Sequence, residues 1–90
     1  MKKMNETHVI CCFEYMLQKK TIGMPRKVLL EAIKKIYPAI IHERSELELA
    51  AILNKMVADK EMYLHKSNVY MRGLRYIDVL ERVESHFYEV

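Results

Sequence analysis

The spacing of apolar residues changes from a helical period to a strand period within Leu53–Gly73, and this change constrains the fold of the 90-residue chain more than any other feature. The first part of this segment has apolar residues every three or four positions, as one face of a helix does. In Glu61–His65 and again in Val69–Arg72, neighbouring side chains point to opposite sides of an extended chain. The polar residues Lys66–Asn68 separate these two runs and suit a turn. The segment therefore predicts a helix that leads into a β-hairpin.

Helical periodicity also defines the other elements of the chain. The predicted elements are helices at about residues 7–20, 25–37, 46–59 and 74–88 and a hairpin at about residues 61–72. Pro25 is predicted to be the first residue of the second helix, because a proline there loses no helical hydrogen bond. Ser45 and Glu48 have the spacing of a capping box, in which each side chain accepts a hydrogen bond from the other residue's backbone N–H. Together these elements predict one mostly helical α+β domain over residues 1–90.

The composition excludes several classes of protein. The chain has two glycines and two prolines, and it contains no glycine-rich loop that would hold a nucleotide phosphate. No apolar run reaches the roughly 18 residues that span a bilayer. Cys11 and Cys12 are adjacent, and neighbouring side chains of a helix diverge by about 100°, which argues against a disulfide between them. We therefore expect a protein of the reducing cytoplasm.

Basic residues concentrate in the first half of the chain. Residues 1–42 contain eight Lys and Arg against three Glu, whereas residues 43–90 contain seven Lys and Arg against nine Asp and Glu. A basic half attracts polyanions such as nucleic acid. The alternative is a solvated helix surface, since charge patterns alone are unspecific.

Patterns typical of catalysis and of metal binding are missing from the sequence. The four histidines are dispersed, and neither a histidine pair nor a Cys-x-x-Cys motif has the spacing of zinc ligands. No serine or cysteine has an identifiable base and orienting partner. We therefore expect neither an enzyme nor a bound cofactor. One alternative is a metal or redox sensor at His8, Cys11 and Cys12, because His8 lies three or four residues before the cysteines on the first helix.

The fourth predicted helix is apolar over about half of its circumference, which is more than one core face needs. Such a helix often pairs with a second copy, and homodimers are the commonest oligomers. We therefore expect a homodimer whose interface contains residues of the first and fourth helices, namely Cys11, Tyr15, Tyr76, Val79, Leu80, Val83 and Phe87. The alternative is that the fourth helix folds back over the first helix of its own chain.

The order of the elements (helix, helix, helix, hairpin, helix) resembles that of winged helix-turn-helix regulators of the MarR, ArsR and PadR type. The stretch LNKMVADKEMYLHKSNVYMRG is similar to the end of their third helix and to their wing. The residues that match the family pattern are Leu53, Met56, Val57, Met62, Leu64, Tyr70 and Met71. The turn before the first strand has Lys60 or Glu61 where those families often have glycine. The resemblance implies a winged helix fold for nearly the whole chain.

The resemblance also implies a DNA-binding surface. In such proteins the third helix enters the major groove, and the start of the second helix and the wing hold phosphates. Carried onto this chain, the resemblance implies base-edge contacts from Arg44, Ser45, Leu47, Ala51 and Asn54. It implies phosphate contacts from Arg26, Lys27, Lys55, His65, Lys66 and Asn68. The implied function is that of a small dimeric transcriptional regulator that binds duplex DNA in a sequence-specific manner.

The start of the third predicted helix supports a different function. Three glutamates surround Arg44 there, and carboxylates that face a polyphosphate weaken its binding. The exposed face of this helix is also partly apolar, as at Leu47, and an apolar surface suits a protein partner. The alternative function is therefore a winged helix module for protein–protein interaction, such as a small inhibitor or adaptor, that does not bind DNA.

Overall fold

The computed structural model describes residues 3–19, 21–66 and 68–87, the last three by their backbone only. The elements in chain order are α1 (Glu6–Leu17), β1 (Gly23–Pro25), α2 (Arg26–Ile36), a 3₁₀ turn (Pro38–Ile40), α3 (Ser45–Ala58), β2 (Met62–Leu64), β3 (Val69–Arg72) and α4 (Tyr76–Phe87). The chain is an α+β protein that is mostly helical, as predicted, and its order of elements is compatible with a winged helix. Within the described residues, no helix is long and apolar enough to cross a membrane.

Every described α-helix contributes to one apolar core. The side chains that are almost fully buried there include Ile10, Phe13, Leu29, Ile33, Leu49, Leu53, Val79 and Val83. α1 contacts both α2 and α4, and α2 contacts α3. The core side chains come from one face of each helix, so the helical period of the sequence determines which residues meet. Burial of each such side chain contributes roughly 1.5–3 kcal/mol to folding.

The three described strands form a small antiparallel sheet. Its strand order is β1–β3–β2, so β3 lies in the centre. Met24 of β1 and Leu64 of β2 both pair with Tyr70 of β3, whose side chain is buried. β1 can approach β3 closely because Gly23 has no side chain, and a Cβ there would lie 2.6 Å from the Tyr70 carbonyl oxygen. The pairing joins the start of α2 to the hairpin.

β1 is not predicted by periodicity, because three residues are too few to show an alternating pattern. Its presence also corrects the predicted start of the second helix. Pro25 is the last residue of β1 and the N-cap of α2, with φ −67° and ψ 157°, so the first helical residue is Arg26. Proline tolerates this position because it lies at the edge of the sheet, where its missing N–H costs no ladder hydrogen bond.

The end of the first helix and the start of the last helix also differ from the prediction. α1 ends at Leu17 and continues into a turn, and the predicted end at residue 20 lies outside the described residues. α4 begins at Tyr76 rather than at residue 74. The reason is that the Arg75 N–H donates to the Lys60 carbonyl at 2.8 Å, which holds the chain in a turn before the helix. The predicted end of this helix at residue 88 lies outside the described residues.

The turn between α3 and β2 holds Lys60 in the left-handed conformation, with φ 63°. The Lys60 N–H donates to the Val57 carbonyl at 3.1 Å, and the Glu61 N–H donates to the Met56 carbonyl at 2.8 Å. This pair of hydrogen bonds is a common helix ending that usually has glycine at the left-handed position. A side chain at that position has a steric cost, because its Cβ crowds the following carbonyl oxygen.

Replacing Lys60 by glycine is expected to raise the free energy of unfolding by about 0.5–1 kcal/mol, because glycine adopts a positive φ without this steric cost. The matched control is Lys55→Gly, which changes an exposed lysine in the last turn of α3. The control is expected to lower the free energy of unfolding by about 1 kcal/mol, since glycine weakens a helix. Chemical denaturation measures both variants. Effects of the same sign would contradict the role assigned to Lys60.

Candidate nucleic-acid interface

The face of α3 that lies opposite the core forms a continuous exposed strip. Leu47, Ala51, Asn54 and Ala58 follow one another at the spacing of one helix face. All four residues are exposed, and Leu47 retains 71% of its accessible surface. We call this strip the α3 crest. The structure thus brings three of the predicted base-contact residues, Leu47, Ala51 and Asn54, to one accessible face.

Ser45 does not belong to the α3 crest. It is buried, and its hydroxyl oxygen accepts a hydrogen bond from the His42 N–H at 2.8 Å. α3 begins at Ser45, one residue earlier than predicted, because Arg44 is the N-cap. The prediction that Ser45 contacts base edges is therefore wrong, because its hydroxyl is used to hold the loop before α3. Arg44 itself is exposed at the N-terminal end of the helix.

The predicted capping box between Ser45 and Glu48 does not form, because the Glu48 side chain contacts His42 instead. The N-cap of α3 makes no side-chain hydrogen bond. The Glu48 carboxylate instead lies against the His42 ring, with Oε1 2.8 Å from Nε2. The other ring nitrogen, Nδ1, accepts a hydrogen bond from the Arg44 N–H at 3.1 Å. The Glu48 Oε1 atom is buried and has no hydrogen-bond partner within the described chain apart from the His42 ring. The Glu48 carboxylate therefore interacts with His42 and not with the start of α3.

A groove of about 600 Å³ lies between the start of α2, the hairpin turn and the start of α3. It is lined by Pro25, Arg26, Lys27, Leu30, Glu31, Lys34, Glu46, Asn68 and Tyr70. The pairing of Pro25 with Val69 brings the start of α2 to the hairpin turn. Predicted phosphate-contact residues from two distant segments therefore meet in one groove, namely Arg26 and Lys27 from α2 and Asn68 from the hairpin.

Three charged groove residues, Glu31, Lys34 and Glu46, are missing from the predicted site. Lys34 lies seven residues after Lys27 and therefore on the same side of α2, and this spacing is a signal in the sequence that identifies it. Its ammonium group lies 3.6 Å from the Glu31 carboxylate. Glu46 has no such signal, because only the packing of α3 beside α2 shows that it lines the same groove as Arg26.

The hairpin turn presents His65, Lys66 and Asn68, all of which are exposed. The His65 N–H donates to the Val69 carbonyl at 2.9 Å, and the Asn68 N–H donates to the His65 carbonyl at 3.0 Å. Asn68 has φ 59°, a left-handed conformation that asparagine adopts more readily than most residues. The backbone of the turn is thus held by hydrogen bonds while the three polar side chains stay accessible.

The basic residues divide into two groups by their ionic partners. In the first group, Arg72 lies 2.9 Å from Glu14 and Arg82 lies 3.0 Å from Glu61, and these pairs connect α1, α4 and the hairpin region. The second group consists of cations that have no ion pair within the described residues and were predicted to contact DNA: Arg26, Lys27, Arg44, Lys55 and Lys66. The first group connects elements of the fold, whereas the second group has no carboxylate partner within the described residues, as is also true of Lys35 and Lys60.

Lys55 lies on the flank of α3 away from the groove. It borders a depression of about 410 Å³ together with Ile52 and Asp59 of α3 and the start of α1. Arg26 and Lys27 lie on the other flank, beside the groove. The α3 crest, which itself carries no charged residue, therefore has basic residues on both sides and Arg44 at its N-terminal end.

Three residues predicted for a dimer interface are buried inside the chain itself. Tyr76, Val79 and Val83 are at most 3% exposed. The Tyr76 hydroxyl donates to the Glu14 carboxylate at 2.8 Å, and its ring centroid lies 5.7 Å from that of Phe13. α4 thus folds back over α1 of its own chain, which is the alternative to a dimer interface given in the sequence analysis. The interface prediction is wrong for these three residues, because their apolar surface is already covered.

The other residues predicted for that interface have different environments. Cys11 and Leu80 are half-buried, and Tyr15 is exposed. The side chain of Phe87 lies outside the described residues. A dimer interface therefore stays a prediction for Cys11, Tyr15, Leu80 and Phe87, without the three buried residues of α4.

The two cysteines have the properties of buried thiols. Burial raises the pKa of the Cys11 thiol, and a hydrogen bond with Tyr37 offsets part of that rise. Burial raises the pKa of the Cys12 thiol to about 12. Metal binding and redox reactivity require the thiolate, which is favoured by a lowered pKa. Within the described residues, no group of three His, Cys, Asp or Glu side chains could hold a metal ion, so the geometry lends no support to a sensor at His8, Cys11 and Cys12.

The chain was compared with protein families, curated proteins and solved structures. No protein-family model matches the chain, and no curated protein or solved structure matches it.

The Ser45→Ala variant tests the structural role of Ser45. Removal of the hydroxyl leaves the His42 N–H without its acceptor, so we expect the free energy of unfolding to fall by about 1–2 kcal/mol. The control is Glu43→Ala at a neighbouring exposed position, for which we expect a change of no more than about 0.5 kcal/mol. Thermal unfolding measures both variants. If Ser45→Ala were as stable as the control, the assigned role would be refuted.

Proposed function

We propose that this protein has a winged helix fold and binds duplex DNA in a sequence-specific manner. In this proposal α3 lies in the major groove, while the start of α2 and the β2–β3 hairpin contact phosphates. The observation that carries the proposal is a neutral α3 crest with basic residues on both flanks that have no ion pair within the described part of the chain, although Glu46 and Asp59 lie on the same flanks. The basic residues are Arg26, Lys27, Arg44, Lys55 and Lys66.

The α3 crest has the size and the charge that suit a major groove. A groove about 12 Å wide admits one helix, and the small side chains of Ala51 and Ala58 allow a close approach to the base edges. The floor of the groove carries no formal charge, which matches a crest without charged residues. Its two walls are rows of phosphates, which match cations on both flanks of α3.

The start of α2 is suited to hold a phosphate group. Its N-cap, Pro25, makes no side-chain hydrogen bond to the first turn, so the backbone N–H groups of that turn remain donors for a ligand. A helix N-terminus attracts anions through these donors and through the helix dipole. Arg26 and Lys27 add two positive charges at the same place.

Glu46 opposes the binding of DNA, but its position limits this effect. It lines the groove beside Arg26 and Lys27 and does not lie on the α3 crest. The Lys34–Glu31 pair in the same groove adds no net charge. Two cations beside one unpaired carboxylate therefore leave the groove positive, and the groove still attracts a phosphate.

Sequence-specific binding of DNA fits a small transcriptional regulator that acts in the cytoplasm. The free thiols of Cys11 and Cys12 are compatible with a reducing compartment. Homodimerisation remains part of the proposal, because two copies would read two half-sites of an operator. The dimer interface cannot include Tyr76, Val79 and Val83, because these residues of α4 are buried within the chain itself.

A protein-interaction module is the second candidate function. The observation that favours it is Leu47, a large apolar side chain that is mostly exposed at the start of the α3 crest. Exposed apolar surface often marks a contact with another protein. If this were the function, the basic residues would form a solvated surface, and duplex DNA would not bind in a salt-dependent manner.

The salt dependence of DNA affinity tests the proposed function. If Arg26, Lys27, Lys55 and Lys66 contact phosphates, log K should fall with log[salt] with a slope of about −3 to −4 for each protein molecule. Lys66→Ala should reduce the magnitude of this slope by about 1. Lys35→Ala is the matched control, because Lys35 is an exposed lysine of α2 that borders a different depression, beside Tyr15. Fluorescence anisotropy with a labelled duplex measures the slope for each variant.

Two results of this experiment would count against the proposal. The first is no binding of duplex DNA at low salt, which would favour the protein-interaction module. The second is an equal change of slope in Lys66→Ala and Lys35→Ala, which would mean that the hairpin turn has no special place in the DNA contact.

A further inference from the structure

We infer that the α3 crest selects A·T base pairs in the major groove, with Leu47 and Ala51 against thymine methyl groups and Asn54 on adenine. This inference rests on the proposed function and specifies the DNA that the same surface would bind. It follows from the base features that the crest side chains can contact and from those that they cannot.

The α3 crest has no side chain that forms two hydrogen bonds to a G·C pair, because the Asn54 amide can only donate to guanine or accept from cytosine. Guanine presents two acceptors, O6 and N7, which arginine and lysine contact most effectively. The nearest cations are Arg44, at the N-terminal end of the crest, and Lys55, on its flank. The crest also lacks a carboxylate that would accept from the cytosine amino group. A G·C pair opposite the crest would therefore lose bound water and gain fewer hydrogen bonds than an A·T pair.

Leu47 provides apolar surface that matches thymine. It is the largest apolar side chain of the α3 crest and is 71% exposed. On the base edges of the major groove, the thymine C5-methyl is the apolar group. Contact between the two removes apolar surface of both from water, which is favourable. Ala51 lies one helical turn further along the crest and is small enough to contact a second methyl group.

Asn54 supplies the hydrogen-bonding groups of the α3 crest. Its amide is exposed and has no hydrogen-bond partner within the described residues. An asparagine amide can donate to N7 of adenine and accept from the N6 amino group at the same time. Asn54 follows Ala51 by three residues, so the two are neighbours on the helix face. A thymine methyl beside Ala51 and an adenine beside Asn54 can therefore belong to adjacent base pairs.

Selection from a pool of random duplexes, followed by base analogues, tests this inference. We expect the enriched site to consist mainly of A·T pairs at its central positions. Replacing a contacted thymine by deoxyuridine removes its methyl group and should weaken binding about three- to fivefold. Replacing the contacted adenine by its 7-deaza analogue removes the N7 acceptor and should weaken binding about fivefold or more. Anisotropy at one fixed salt concentration measures each duplex.

Protein variants assign each effect to one residue. Leu47→Ala should weaken the response to deoxyuridine at the thymine that Leu47 contacts and keep the responses at the Ala51 thymine and to 7-deazaadenine, whereas Asn54→Ala should lose only the response to 7-deazaadenine. Both positions are exposed, so we expect both variants to fold, and thermal unfolding verifies this. Lys35→Ala is the control and should keep both responses.

The possible outcomes separate this inference from the proposed function. A selected site rich in G·C pairs, or equal affinity for thymine and deoxyuridine duplexes, would overturn the inference and leave DNA binding intact. Responses that persist unchanged in both Leu47→Ala and Asn54→Ala would also overturn it. No binding to any duplex of the pool would overturn the proposed function together with the inference.

Discussion

Burial of one face of α3 is the constraint on which the rest of the proposed interface depends. Leu49, Leu53 and Met56 are at most 2% exposed, and their packing fixes the rotation of the helix about its axis. Because residues three and four positions apart share a helix face, this rotation leaves the opposite residues in solvent. The α3 crest is therefore a consequence of core packing. The same packing leaves the Leu47 side chain exposed, where the proposed ligand would contact it.

The pairing of β1 with β3 determines where the charges lie around that crest. Pro25 pairs with Val69, which places the first turn of α2 beside the hairpin turn. Basic residues of both segments then surround α3, whereas guanidinium groups nearer α1 and α4 are taken by Glu14 and Glu61. The topology thus sorts the basic residues of the described chain. Arg72 and Arg82, which connect elements, are paired with carboxylates, whereas the basic residues around α3 have no ion pair within the described chain, a distribution that suits the proposed polyanion.

Periodic elements of this fold could be predicted from the sequence, whereas features that depend on contacts between segments could not. The helices, the hairpin and the shared face of Leu47 and Asn54 follow from the period of the apolar residues. β1 has too few residues for a pattern and is held by its pairing with β3. Ser45 and Glu48 have the local spacing of a capping box, but His42 contacts both side chains. The wide apolar arc of α4 predicts that much of this helix is buried, but it does not predict by which partner. The packing of the fold shows that α1 of the same chain covers part of the arc.

Amide chemical shifts of the isotopically labelled protein, followed during titration with duplex DNA at low salt, test the central claim most directly, because they report on every backbone segment at once. The account predicts that the changes concentrate in residues 26–34, 44–58 and 62–72, which are most of α2, α3 with its N-cap, and the hairpin, while α4 stays unchanged. Changes confined to α4, or no change at any residue, would contradict it.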